Sequence, residues 1–184
     1  GHNGLSDGAT EFIQVARTDT PATSSPDIVL QDFNLGNVSS DAFVPLAPHL
    51  TWAQGYRLGV VPGDDPFLLL DSRFYAGGAT SVRGFEERSL GPRGPDGVAI
   101  GGQASAIFNQ ELRFPLWSRL HGGIFYDAGN AFALASDLDL RDLRQSVGAG
   151  LRLMFPFGPV RLDWSRVIDR QPGEKPSRFL FSIG

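Results

Sequence analysis

The stretch Ser81-Val82-Arg83-Gly84-Phe85 sets one guanidinium among small and apolar residues, between "GGAT" and "EERSLGPRGPDG". A Gly-rich segment with a single arginine is ordinarily a solvated turn. Further along stand two carboxylates, Glu111 and Asp127. A guanidinium withdrawn from bulk water needs an acid to offset its desolvation, and its planar fork satisfies one or two carboxylates at once. The same two carboxylates, suitably separated, are also the equipment of a general acid and base, as in glycoside hydrolysis. Sequence alone fixes no separation between them. Which chemistry holds depends on the elements that carry these residues.

Composition removes other chemistries. The 184 residues contain no Cys, so thiol catalysis and thiolate metal sites are absent, and His2, His49 and His121 are too scattered to read as a metal cluster. A formal charge of −4 gives no electrostatic footprint for nucleic acid. No cofactor is implied. The cations are fifteen Arg against the single Lys175, a bias toward the residue that tolerates partial burial in planar pairs. No apolar run approaches the twenty residues of a membrane-spanning helix.

Two-residue alternation dominates and helical spacing is nearly absent, which predicts an all-β protein. In 102–114, Gly102, Ala104, Ala106, Phe108, Leu112 and Phe114 share one face, interrupted by Gln110. Gln103, Ser105, Asn109, Glu111 and Arg113 share the other. In 120–132, Asp127 falls on the face with His121, Gly123, Phe125 and Gly129. The same split sets Leu50, Trp52, Tyr56, Leu58 and Val60 opposite Thr51, Gly55, Arg57 and Gly59. It sets Val147, Ala149, Leu151, Leu153 and Phe155 opposite Ser146, Gly148, Gly150 and Arg152, and Val160, Leu162, Trp164 and Ile168 opposite Arg161, Asp163 and Ser165. The polar faces carry Gly, Ser and Arg rather than the Lys and Glu of a solvated sheet, which suits a crowded lumen.

Eight strands are predicted, at 10–17, 28–46, 50–61, 101–114, 119–132, 145–155, 159–168 and 178–184. Their connections alternate between short and long, as in outer-membrane barrels with short periplasmic turns and long outer loops. Phe114, Trp117, Phe155 and Phe157 fall at the short-turn ends, where an interfacial girdle lies, and Pro115, Pro156 and Pro159 stop the strands there. The expected fold is an antiparallel transmembrane β-barrel, against the alternative of a soluble β-sandwich. Eight strands enclose room only for their own side chains or one small ligand, so a loop as long as 62–100 either stays outside or belongs to a larger barrel.

The runs "RFYAGGATSVRGFEERSLGP" (73–92), "NQELRFPL" (109–116), "GGIFYDAGNAF" (122–132), "SVGAGLRLMFPFGPVRLDWS" (146–165) and "RFLFSIG" (178–184) resemble, in order, the C-terminal half of the BamA/TamA superfamily barrel, the bacterial surface antigen family. The resemblance is close over 50–184 and weak over 1–49. It implies that 1–184 is one β-barrel domain, the last eight of roughly sixteen strands, with POTRA domains upstream and absent here. It implies that loop 62–100 folds inward and that Val82, Arg83, Gly84 and Phe85 form a lock with Glu111 and Asp127. In that reading Gly77 and Gly78 supply the turns, and Phe179, Phe181, Ile183 and Gly184 form a C-terminal strand signal. The family's last strand usually continues to a terminal aromatic, whereas this sequence stops at Gly184.

The function so implied is non-catalytic insertion or translocation of proteins in the bacterial outer membrane, by templating of a client strand at a lateral seam. Its partners are the lipid bilayer, unfolded outer-membrane protein clients and accessory assembly proteins. A two-partner secretion transporter shares barrel and loop motif but more often has Tyr at the position of Phe85. A barrel anchoring a fused lipase looks the same over these residues, and a soluble sandwich is a binding module.

Overall fold

The computed structural model describes residues 27–34, 37–61, 73–156 and 158–183. They form one eight-stranded antiparallel sheet in sequence order. Its strands are β1 (Asp27–Asn34), β2 (Asn37–Ala47), β3 (Leu50–Val60), β4 (Ala104–Pro115), β5 (Leu120–Phe132), β6 (Arg144–Phe155), β7 (Gly158–Val167) and β8 (Ser177–Ile183). Strands β2 to β7 run for 10 to 13 residues, about the length a tilted strand needs to cross a bilayer. The sheet is open: β1 pairs with β2 and β8 with β7, and these two strands do not meet.

Alternation decides the faces as the sequence suggested. Leu151 and Leu162 are exposed on one side, while Gly150, Arg152 and Asp163 are buried on the other. On β8, Phe179, Phe181 and Ile183 project outward, with Phe181 65% exposed, while Leu180 and Ser182 lie on the inner face and are half-buried. So continuous an apolar face on a water-soluble chain would be an association hazard, and in lipid it is the ordinary surface. Trp117, in the β4–β5 turn, is exposed.

One expectation needs correction, and two features of the faces add to it. The stretch 28–46 is not one strand but the hairpin β1–β2, with Asn34 opposite Asn37. The sequence Asn34-Leu35-Gly36-Asn37 is rich in the residues that accept turn conformations, and the weak alternation across it hid the break. This connection lies at the same end of the sheet as the long loops, so not every connection there is long. The inner face is also not uniformly polar, since Ile107 and Phe125 are buried on it. Finally, the outward Ala104, Ala106, Ala128 and Phe132 are buried rather than bare: Leu143 joins them in one cluster, with Leu138 packed against it. The β5–β6 loop, with its two short 3-10 turns at Ala135–Asp137 and Leu140–Asp142, therefore clads the outer face there. The predicted strand 10–17, loop residues 62–72, Phe157 and Gly184 lie outside the described residues.

The long β3–β4 connection packs on the inner face. Three isolated antiparallel bridges, Phe74↔Gly102, Ala76↔Leu90 and Arg93↔Ala99, give it an internal ladder. Ala76, Val82, Phe85 and Leu90 of the loop join Ile107 of β4 and Val167 of β7 in one buried apolar cluster. The described core of the inner face is thus largely loop against sheet, and this packing brings residues 81–85 to the inward carboxylates.

Candidate functional site

Gly77 and Gly78 turn the loop with φ of 100° and 105°, a region costly for residues with a Cβ. Gly78 N–H donates to the Val82 carbonyl at 3.3 Å, and Phe85 N–H donates to the same carbonyl at 3.1 Å. This compact turn leaves Val82 fully buried and directs Arg83 toward the sheet. Gly84 contributes room rather than a special φ: a Cβ there would stand 2.6 Å from Ser146 Cβ. Its N–H donates to Ser146 Oγ at 3.2 Å, and Ser165 Oγ donates to the Arg83 carbonyl at 2.7 Å.

Asp127 receives Arg83 in a two-pronged contact, Nε to Oδ2 at 2.7 Å and Nη2 to Oδ1 at 2.9 Å, and also accepts the Arg83 backbone N–H at 3.2 Å. Asn109 Nδ2 donates to Asp127 Oδ1 at 2.8 Å and to the Ser81 carbonyl at 2.6 Å, so one side chain fixes both the acid and the turn. The remaining Arg83 nitrogen, Nη1, lies 3.1 Å from Glu111 Oε2 and 3.5 Å from Asp163 Oδ2. The guanidinium carbon stands 3.4 Å from the centre of the Phe125 ring, a cation–π contact that strengthens when water is excluded.

The sequence reading therefore named the residues that meet: Val82, Arg83, Gly84 and Phe85 are buried together, with Glu111 and Asp127 around the arginine. Phe179, Phe181 and Ile183 are elsewhere, on the outer face of β8. The reading missed a wider ring. Arg152 Nη2 donates to Glu111 Oε2 at 2.7 Å, Arg113 Nε lies 3.3 Å from Glu111 Oε1, and Arg161 Nη2 lies 3.1 Å from Asp163 Oδ2. Four guanidiniums thus share three carboxylates. The signal existed, since Arg152, Arg161 and Asp163 all fall on the polar side of their alternating runs. Each carboxylate is engaged by at least one guanidinium, and charge held in this way favours ordering a loop over transferring a proton.

A second cluster lies at the long-loop end. Arg144, at the start of β6, donates Nε to Asp169 Oδ2 at 2.7 Å, Nη2 to Glu174 Oε2 at 2.7 Å and Nη1 to Glu174 Oε1 at 3.1 Å. Burial raises the Glu174 pKa, but hydrogen bonds from Arg144 and from the Gln171 N–H outweigh it and hold the carboxyl below its ordinary value of 4.5. A depressed carboxylate stabilises the folded loop above its ordinary pKa and loses that contribution as the pH falls through the lowered value. Protease cleavage within 169–176 should therefore stay slow at neutral pH and accelerate only below the ordinary glutamate range. Acceleration already at pH 6 would contradict this.

An open antiparallel sheet of bilayer-length strands, apolar outward and charged inward, with a loop folded onto its inner face, defines a transmembrane β-barrel sheet. The chain belongs to the Omp85 superfamily, whose domain description matches residues 30–184. It is 33% identical over 163 residues to the outer membrane protein assembly factor BamA of Nitratidesulfovibrio vulgaris, covering 83% of this chain and 20% of that protein. It is 26% identical over 180 residues to the BamA of Neisseria meningitidis serogroup B, covering 77% of this chain and 22% of that protein. Among solved structures it is similar to BamA from Haemophilus ducreyi lacking POTRA domains 1–3. There the TM-score is 0.64 at 24% identity, over 79% of this chain and 33% of that one. The chain thus spans about a fifth of the length of these curated relatives. Its place is the bacterial outer membrane.

Proposed function

We propose that this chain is the C-terminal half of a larger barrel that assembles proteins into the outer membrane without chemical catalysis. The reading is carried by the last strand β8: it turns an apolar face outward and, among the described residues, pairs with β7 alone, so that its other side is where the remaining half of the barrel would meet it in a seam. Unpaired backbone N–H and C=O groups along such an edge accept an added strand. A client strand that pairs there has its backbone satisfied before it leaves water, which a bilayer demands of any spanning segment. Burial of the client's apolar face supplies the driving force. Val82, Arg83, Gly84 and Phe85, held by Glu111 and Asp127, fix the loop in the lumen, with Gly77 and Gly78 shaping its turn. They keep the inner face of β4 to β7 rigid while the edge works. The likeness to BamA proteins supports the client class, unfolded outer-membrane proteins, and accessory assembly proteins as partners.

The test is reconstitution of the full-length protein in liposomes, scored by the appearance of protease-protected client barrel. The account expects insertion to be faster than into empty liposomes, and faster than with a protein lacking Ser177–Ile183. Equal rates in all three preparations would contradict it.

A further inference from the structure

The Arg144 cluster is not explained by holding Arg83. All four hydrogen bonds of its guanidinium go to the β7–β8 loop: to Asp169 Oδ2, to both Glu174 oxygens, and to the Asp169 carbonyl at 3.1 Å. The Gln145 N–H adds a contact to Asp169 Oδ1 at 3.0 Å. The face of the same guanidinium rests on Phe85, with its carbon 4.8 Å from the ring centre. Arg144 thus holds the outer loop by its edge and the internal loop by its face, a division that only a planar cation permits.

A second link runs parallel to it. Arg178, near the start of β8, pairs with Glu86, the residue after Phe85. Ser165 Oγ lies 2.7 Å from the Arg83 carbonyl and 3.4 Å from that of Arg178. A cavity of about 220 Å³ separates the two loops, with Phe85 and Glu86 on one wall and Gly173, Glu174 and Arg178 on the other.

We infer that Arg144 is a positioning residue that joins the β7–β8 loop to the internal loop as one unit, so that the outer end of the edge strand β8 is set from inside the lumen through Arg144–Phe85 and Arg178–Glu86. Loosening either loop loosens the other, because coupling between two sites is reciprocal. On the assembly reading above, this decides how readily the end of β8 yields to a client strand. The coupling itself needs no client.

Hydrogen exchange of the intact protein in detergent micelles reads it directly. Arg144→Gln should speed exchange in both 169–176 and 85–93, by about tenfold, within the usual range of site-to-site coupling. Phe85→Leu, which removes none of the charged groups of the outer loop's ion pairs and only the ring under Arg144, should still speed exchange in 169–176. Arg144→Lys should restore part of the protection of 169–176 and little of that of 85–93, since an ammonium keeps a charge but lacks the planar face. If Arg144→Gln does not fold, Glu174→Gln is the substitute: it leaves Arg144, Asp169 and Phe85 in place and should loosen both segments in the same way. Variants that each loosen only their own loop would overturn the inference. Because the readout is exchange at named segments, that failure would leave the assembly reading standing, and a failed reconstitution would leave the coupling standing.

Discussion

Arg83→Ala should release the internal loop from the lumen, seen as faster proteolysis at 86–97 and a loss of stability toward the lower end of the ~3–5 kcal/mol typical of a broken buried pair. The loss should fall unevenly on the three acids. Glu111 keeps Arg152 and Arg113, and Asp163 keeps Arg161. Asp127 is 0% exposed and keeps, among the described residues, only the Asn109 amide and a backbone N–H. The stranded charge is therefore that of Asp127. In double-mutant cycles on loop protection, Arg83→Ala with Asp127→Ala should be strongly non-additive, and Arg83→Ala with Glu111→Ala only weakly so. Arg83→Lys should rescue in part, because an ammonium cannot reproduce the paired Nε and Nη2 contact. Additivity with both acids would show that the arginine is not held by them.

The second large effect is expected on the other face. Leu162 projects outward near the middle of β7 and is 47% exposed, so Leu162→Arg places a cation in hydrocarbon. At the bilayer midplane that substitution costs ~2–4 kcal/mol in barrels of this kind. It should lower the denaturant midpoint of the barrel in lipid or detergent. The neighbouring inward Arg161, already paired with Asp163, shows that the sheet accepts the same side chain one residue away on the opposite face. If the protein is monodisperse without detergent and Leu162→Arg is silent, the outward face does not meet lipid.

Parity along the strands made much of this legible. Glu111 is recognisable as inward because Asn109 and Arg113 flank it at a spacing of two, Asp127 because it shares parity with His121, Gly123 and Gly129, and the glycine-rich context of Arg83 marks a backbone that must turn tightly. Contacts across long separations were not legible. Asp163 lies 80 residues from Arg83 in sequence, and no pattern on β7 says that the loop reaches it. Ile107 and Phe125 carry a signal of their own: an apolar residue at an inward position marks where the loop lands, here Val82 and Phe85 against Ile107 and the Arg83 guanidinium over Phe125. The β1–β2 hairpin was missed because residues 28–46 alternate poorly, so the turn chemistry of Asn34 to Asn37 had no contrast to stand against. Arg144 sits at a strand end, where alternation has little to say, and its role follows from three dimensions alone.

Strand pairing at β8 is the claim on which the functional account rests, and site-specific disulfide capture tests it most directly. The chain has no cysteine of its own, so single cysteines at Phe179, Phe181 and Ile183 can be paired with cysteines walked along the last strand of a client stalled during assembly. The control is Val147, exposed and outward on β6, which is paired on both sides by β5 and β7. The account predicts that each β8 position captures one client position, with the captured position stepping by two residues between neighbouring sites and nothing captured at Val147. Capture at Val147 as strong as on β8, or capture on β8 without a fixed register, would contradict it.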